Sequence, residues 1–123
     1  MLSSESSSYI LLVDDDDGLR SILAEYLADV GGYRVTPVTN GREALDHLKA
    51  GGRPCVILLD LMMPVMDGWE FRDAQSADPT LADIPVVVIT ALGSDKPSPV
   101  ARENTLRKPL DPKALLRLIS RFC

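Results

Sequence analysis

The sequence predicts an α/β fold in which a parallel sheet carries helices on both faces. Three unbroken apolar runs, at 10–13, 55–59 and 85–89, have the composition of strands that are covered on both sides. Between them, apolar residues recur at spacings of three and four, which is the period of an amphipathic helix. Because the two patterns alternate over the whole length, we expect parallel strands joined by right-handed crossovers.

Each element is delimited by its apolar period and by the turn residues beside it. Asp17 is the expected N-cap of the first helix, and the glycine pairs 31–32 and 51–52 end the first two helices. We predict strands at 9–13, 33–38, 55–59, 85–89 and 105–107, and helices at 19–30, 44–48, 69–76, 100–103 and 110–122.

The fourth helix is expected to be unusually short. Gly93, Pro97 and Pro99 lie in the segment 92–104 that should contain it. Proline lacks an amide donor and disfavours helical backbone in the residue before it. Only a few residues around 100–103 therefore remain available for helix.

Length and composition indicate one domain with its own core. The chain has 123 residues, of which 46% are hydrophobic and 25% charged, as is usual for a globular domain. We expect residues 9–123 to form this domain and the serine-rich segment 1–8 to be a flexible N-terminal extension.

Charge and cysteine usage exclude several classes of function. A net charge of −5 without a basic stripe argues against direct nucleic-acid binding. No apolar stretch approaches the ~18 residues of a membrane span, and the polar start of the sequence leads us to expect no signal peptide. Cys55 and Cys123 fit neither metal-ligand spacing nor the disulfide framework of a secreted protein, which predicts a reducing cytoplasm as the location.

Polar residues follow four of the five predicted strands. Asp14 and Asp15 end the first, Asp60 the third and Thr90 the fourth, and the fifth leads into Lys108. In open parallel sheets, ligands bind outside the carboxyl ends of the strands. We therefore expect these five side chains to meet at one edge of the sheet.

The predicted cluster has the composition of a site that binds a cation and accepts a phosphoryl group. Three neighbouring carboxylates repel one another, and a divalent cation relieves that repulsion. Oxygen ligands suit Mg²⁺, or Mn²⁺, better than Zn²⁺. An aspartate is also a competent nucleophile toward phosphorus, and a lysine and a hydroxyl can hold phosphoryl oxygens. Helix capping alone would explain strand-end aspartates, but it does not explain Thr90 and Lys108.

Four blocks of the sequence resemble the signature motifs of two-component response-regulator receiver domains, the CheY-like superfamily. They lie at 11–15, 58–68, 89–91 and 107–109, each at a predicted strand end and in the order that the family has them. The resemblance implies a flavodoxin-like fold with the strand order 2-1-3-4-5. It also implies a signalling switch that catalyses only its own phosphorylation and slow dephosphorylation.

The resemblance also assigns roles to individual residues. It makes Asp60 the phosphoacceptor, Asp15 a direct Mg²⁺ ligand and Asp14 a ligand mostly through water, with the Met62 backbone carbonyl completing the shell. The side chains that would bind the phosphoryl oxygens are Thr90 and Lys108, and Lys108–Pro109 would be a cis peptide. The implied partners are a histidine kinase or phosphotransfer protein, and a downstream target or an attached output domain.

Two departures from the family leave an alternative open. Receivers usually carry an aromatic residue three positions before the lysine, and here that position is Thr105. The missing aromatic and the short fourth helix suggest a degenerate receiver that serves only as a protein-interaction module. An aspartate-dependent phosphohydrolase is disfavoured, because the carboxylate it needs two residues after the nucleophile is replaced by Met62.

Overall fold

The computed structural model describes residues 8–91 and 96–123. Within these ranges the five predicted strands are present, together with four of the five predicted helices. The strands are β1 (Ile10–Val13), β2 (Val35–Val38), β3 (Val56–Asp60), β4 (Val86–Thr90) and β5 (Thr105–Arg107). The α-helices are α1 (Asp17–Asp29), α2 (Gly41–Lys49), α3 (Gly68–Ala77) and α4 (Pro112–Ile119). The predicted flexible segment 1–8 lies, apart from Ser8, outside the described residues.

The five strands form one parallel sheet in the order β2-β1-β3-β4-β5, as predicted. From β1 the chain continues to β2, which lies on one side of β1, and then crosses back to β3, which lies on the other side of β1. The direction of strand order therefore reverses between β1 and β3. In open sheets, the crevice at the carboxyl ends of two such strands is the usual place for a ligand.

Helices cover both faces of the sheet, which explains why β1 is apolar throughout and why β3 and β4 are apolar up to their last residues. Leu11 and Val13 of β1 pack with residues of α2 and α3 on one face. Ile10 and Leu12 point the other way and pack with α1 and α4. All four side chains are at most 1% exposed. Full burial stabilises the fold by roughly 1.5–3 kcal/mol for each such side chain.

The N-cap of α1 is Asp16, so the predicted N-cap at Asp17 is wrong by one residue. Asp16 has extended backbone, and its carboxylate accepts a hydrogen bond from the Leu19 amide at 3.1 Å. Asp17 is the first helical residue and forms an ion pair with Arg20. The preference for acids at the start of a helix applies to both positions, so composition alone does not distinguish them.

The predicted fourth helix is absent in the described part of its segment. Residues 96–101 are not helical, and a single 3₁₀ turn at Arg102–Asn104 leads into β5. Residues 92–95, where this segment begins, lie outside the described ranges. Pro97 and Pro99 account for the loss, because each removes an amide donor that a helix requires.

Cys55 and Cys123 form a disulfide, although their positions in the sequence fit no disulfide framework of a secreted protein. Their Cα atoms are 5.5 Å apart although 68 positions separate them in the sequence. Spacing along the chain does not show this proximity, which arises when the turns after α4 bring Cys123 back to the residue before β3. The prediction of a reducing compartment loses the support that it drew from unpaired cysteines.

In the described ranges, no helix has both the length and the apolar composition needed to cross a membrane.

Candidate functional site

Three carboxylates converge at the crevice between β1 and β3. Asp14 and Asp15 follow β1 directly, and Asp60 is the last residue of β3. The pairing of Val13 with Leu59 brings these strand ends side by side. One oxygen of each carboxylate lies within 4.8 Å of one on each of the others. Asp14 and Asp60 are only 1% and 6% exposed, whereas Asp15 is exposed to solvent.

Thr90 and Lys108 lie at the same edge, as the sequence predicts. Thr90 is the last residue of β4, and its predecessor Ile89 pairs with Asp60 in the sheet. The Lys108 ammonium is 3.6 Å from Asp60 Oδ1, and the Lys108 amide donates a hydrogen bond to the Thr90 carbonyl at 2.8 Å. The peptide between Lys108 and Pro109 is cis. The structure therefore places all five residues that the sequence singles out at one edge of the sheet.

The turn between β1 and α1 is held by contacts that the sequence did not reveal. Asp14 Oδ1 accepts a hydrogen bond from the Asp16 amide at 2.9 Å. The Arg20 guanidinium reaches back from α1 and donates to the Asp14 carbonyl at 2.8 Å. Nothing in the sequence indicates that an arginine at this point of the helix will fold back in this way. Arg20 is thus a supporting residue that only the structure identifies.

Gly68 is required by the close approach of α3 to the end of β3. A Cβ at this position would lie 2.7 Å from the Asp60 carbonyl oxygen and 2.8 Å from Leu61 Cα. The Gly68 amide donates a hydrogen bond to the Leu61 carbonyl at 2.9 Å. Because these neighbours are backbone atoms, any side chain here would displace the strand end that carries Asp60.

Met62 lies two residues after Asp60, in the loop between β3 and α3. Its side chain is 64% exposed and is therefore not part of the core around it. Metal coordination by its backbone carbonyl stays a prediction.

Burial and mutual repulsion change the acidity of the two enclosed carboxyl groups. Burial, and then the charge of Asp14, raises the pKa of Asp60 from 3.8 to about 6, although Lys108 acts in the opposite direction. Burial also raises the pKa of Asp14. One ammonium group thus does not compensate for three crowded carboxylates. A small divalent cation with a preference for oxygen fits this donor set.

The raised pKa of Asp60 predicts how the stability of the metal-free protein depends on pH. Between the unfolded pKa of 3.8 and the folded value of about 6, the folded state binds more protons. The free energy of unfolding must therefore fall as the pH rises through this window. Ionising the buried Asp60 carboxyl group costs free energy, and Asp60→Asn removes this cost. We therefore expect the substitution to stabilise the metal-free protein by about 1–3 kcal/mol at neutral pH.

Urea denaturation in EDTA checks this expectation, with wild type and variant compared at two pH values. The stabilising effect of Asp60→Asn should be present near pH ~7.5 and largely lost near pH ~4. A difference between the two proteins that is the same at both pH values would show that ionisation of Asp60 carries no penalty.

Comparison with known proteins agrees with the fold. The sequence profile described as "Response regulator receiver domain" matches residues 10–120. The chain is 32% identical over 114 residues to Response regulator Rre1 of Synechocystis sp., which covers 89% of this chain and 49% of Rre1. It is 33% identical over 127 residues to Two-component response regulator ORR6 of Oryza sativa subsp. japonica, covering 97% of this chain and 73% of that protein. The chain thus spans about half the length of Rre1.

Solved structures give the same result. The signal receiver domain of a signal transduction histidine kinase from Syntrophus aciditrophicus superposes with a TM-score of 0.78 at 28% identity, covering 93% of this chain and 88% of that one. Chemotaxis response regulator CheY4 of Vibrio cholerae gives a TM-score of 0.76 at 30% identity, with 94% and 98% covered. The matched range 10–120 includes Asp14, Asp15, Asp60, Thr90 and Lys108. The chain therefore belongs to the response regulator receiver domain family of two-component systems.

Proposed function

We propose that this receiver domain accepts a phosphoryl group on Asp60 in a Mg²⁺-dependent reaction and acts as a conformational switch. The observation that carries the proposal is the position of the Asp60 carboxylate. It is 6% exposed, lies within 4.8 Å of two further carboxylates and is 3.6 Å from an ammonium group. A phosphotransfer reaction at an aspartate needs such a nucleophile, with positive charge beside it.

The donor in this proposal is a phosphohistidine of a sensor kinase or of a phosphotransfer protein. A carboxylate oxygen of Asp60 forms a bond to phosphorus while the phosphorus–nitrogen bond of the donor breaks. The electron pair of that bond remains on the imidazole nitrogen, which takes up a proton from water. Asp60 reacts as its carboxylate, and at neutral pH this is the main form even with a pKa of about 6.

Mg²⁺ would be held by Asp14, Asp15, Asp60 and the Met62 backbone carbonyl, and Mn²⁺ suits the same donors. The bound cation would neutralise carboxylate repulsion and the charge of the phosphoryl oxygens. In the family assignment Asp15 binds it directly and Asp14 mainly through water. The burial of Asp14 beside an exposed Asp15 is compatible with these unequal roles.

Thr90 and Lys108 would bind the phosphoryl group once it is on Asp60. The Thr90 hydroxyl would donate to one oxygen. The Lys108 ammonium, which is paired with Asp60 in the unphosphorylated structure, would bind another. The position two residues after Asp60 holds Met62, whose thioether cannot activate water. We therefore propose that the domain removes its own phosphoryl group only slowly and is not a metabolic enzyme.

The alternative is a receiver that binds partners without phosphorylation. It is favoured by Thr105, whose hydroxyl is hydrogen-bonded to Ser98 at 2.8 Å and to the Ala101 carbonyl at 3.1 Å. In place of a movable aromatic, the first residue of β5 is thus tied to the preceding loop. We propose that phosphorylation is retained and that another surface reports it to a downstream target. Since the chain spans about half of Rre1, the target in this proposal is a separate protein or an output domain attached in the whole protein.

Intact-mass spectrometry with acetyl phosphate tests the proposal without knowledge of the kinase. We expect a single phosphoryl adduct on the wild-type domain in Mg²⁺ and none when EDTA replaces Mg²⁺. Mn²⁺ should restore the adduct, because it has the same preference for oxygen ligands. An adduct of equal yield in EDTA would remove the cation from the mechanism. Absence of an adduct under every condition would favour the interaction module.

A further inference from the structure

The edge of the sheet opposite the acidic site carries a disulfide. Cys55 directly precedes β3, whose other end is Asp60, and Cys123 lies four residues beyond the end of α4. The phosphoryl chemistry proposed above makes no use of this pair. We propose that Cys55 and Cys123 are a site of reversible oxidation, which exchanges with glutathione or with a protein dithiol and fastens α4 to the sheet.

Both cysteine backbones are held in place by bonds that do not depend on the disulfide. The Cys55 amide donates to the Tyr9 carbonyl at 2.8 Å, and Tyr9 is itself hydrogen-bonded through its hydroxyl to His47 at 2.6 Å. The Cys123 amide donates to the Ile119 carbonyl at 3.0 Å. The resulting Cα separation of 5.5 Å lies within the range that a disulfide spans without backbone movement. The reduced thiols would therefore stay close together.

The two residues differ in accessibility, which gives the exchange a direction. Cys123 is exposed, whereas Cys55 is half-buried. An incoming thiolate would therefore attack the sulfur of Cys123 and release Cys55 as the thiolate. Exposure of the attacked sulfur is a condition for thiol–disulfide exchange.

Oxidation would be the reverse of this exchange, and it would also begin at the Cys123 sulfur. The Cys123 thiolate attacks oxidised glutathione, forming a mixed disulfide and releasing one glutathione thiolate. The Cys55 thiolate then attacks the Cys123 sulfur, which closes the protein disulfide and releases the second glutathione. The two protons of the protein thiols pass through solvent to the two released thiolates. The protein dithiol is oxidised, and one glutathione disulfide is reduced.

The disulfide would control how firmly α4 is attached to the sheet. The apolar face of this helix is buried through Leu115 and Ile119, which are 0% exposed. Its start is capped by Asp111, three residues after Lys108. The disulfide fixes the opposite end and closes a long loop of the unfolded chain, because the two cysteines have a sequence separation of 68. We expect oxidation to raise the thermal midpoint by roughly 10 °C.

A glutathione redox titration tests the proposal. The folded protein is equilibrated at a series of reduced-to-oxidised ratios, free thiols are alkylated, and the labels are counted by intact mass. As the glutathione mixture becomes more oxidising, the wild-type protein should change from two labels to none, with little singly labelled protein at intermediate ratios. Cys55→Ser should stop at the mixed disulfide between Cys123 and glutathione, whereas Cys123→Ser should react poorly because Cys55 is half-buried.

Two results would overturn the proposal. If both thiols are labelled at every ratio, the pair does not oxidise. If glutathione and dithiothreitol both fail to open the bond in the folded protein, it is a permanent crosslink and not an exchange site. The thermal midpoints of oxidised and reduced wild type provide a check that needs no substitution, and equal midpoints would exclude an effect on α4.

Discussion

Replacing Asp60 with asparagine is expected to abolish the phosphoryl adduct that acetyl phosphate produces in Mg²⁺. An amide is a poor nucleophile and cannot form the acyl phosphate that the mechanism requires. Asp14 is unsuited to replace it, because it is 1% exposed and its Oδ1 accepts a hydrogen bond from the Asp16 amide. Intact mass after equal incubation of wild type and variant measures the loss.

The control for this substitution is Asp46→Asn. Asp46 is an exposed aspartate on α2, so this change alters charge equally and leaves the site intact. It should be phosphorylated like wild type. The folding of Asp60→Asn is checked by its urea midpoint, which should be no lower than that of wild type. A folded Asp60→Asn protein that carries the full adduct would show that another residue is the acceptor.

Substitutions of Asp15 and Asp14 with asparagine are each expected to weaken Mg²⁺ binding by at least roughly tenfold. A unit charge about 4 Å from another contributes a few kcal/mol even at an effective dielectric constant of ~20, and 1.4 kcal/mol corresponds to a factor of ten. Asp15 should have the larger effect if it is the direct ligand. The rise of thermal midpoint with Mg²⁺ concentration gives the affinity of each variant.

A second readout separates loss of binding from damage to the fold. Because the carboxylates repel one another, Asp14→Asn should leave the metal-free protein at least as stable as wild type. Asp73→Asn, an exposed position on α3, serves as the control and should bind Mg²⁺ normally. Unchanged Mg²⁺ affinity in both site variants would contradict the assignment of this cluster as a cation site.

The features that the sequence predicted best are those with a strong local signal. Buried parallel strands are apolar over long runs, as in β3 up to Asp60 and in β4 up to Thr90, and such runs are easily recognised. The carboxyl ends of parallel strands all point to the same edge. The positions of Asp60, Thr90 and Lys108 therefore followed from the strands alone.

The features that the sequence did not predict are of two kinds. Some depend on tertiary contacts, and others depend on which of two equivalent residues takes a given position. Asp16 and Asp17 are chemically identical, and backbone geometry selects Asp16 as the cap. The reach of Arg20 to the Asp14 carbonyl and the meeting of Cys55 with Cys123 both require the folded chain. Neither contact leaves a periodic or compositional trace in the sequence.

The position of the phosphoryl group is the most direct test of the account. Borohydride reduces an acyl phosphate to an alcohol, so the modified aspartate can be located by sequencing peptides in a mass spectrometer. After reaction with acetyl phosphate and Mg²⁺, we predict an alcohol side chain at position 60 and at no other aspartate. Reduction at Asp14, Asp15 or an aspartate outside the cluster, with Asp60 unmodified, would contradict the central claim.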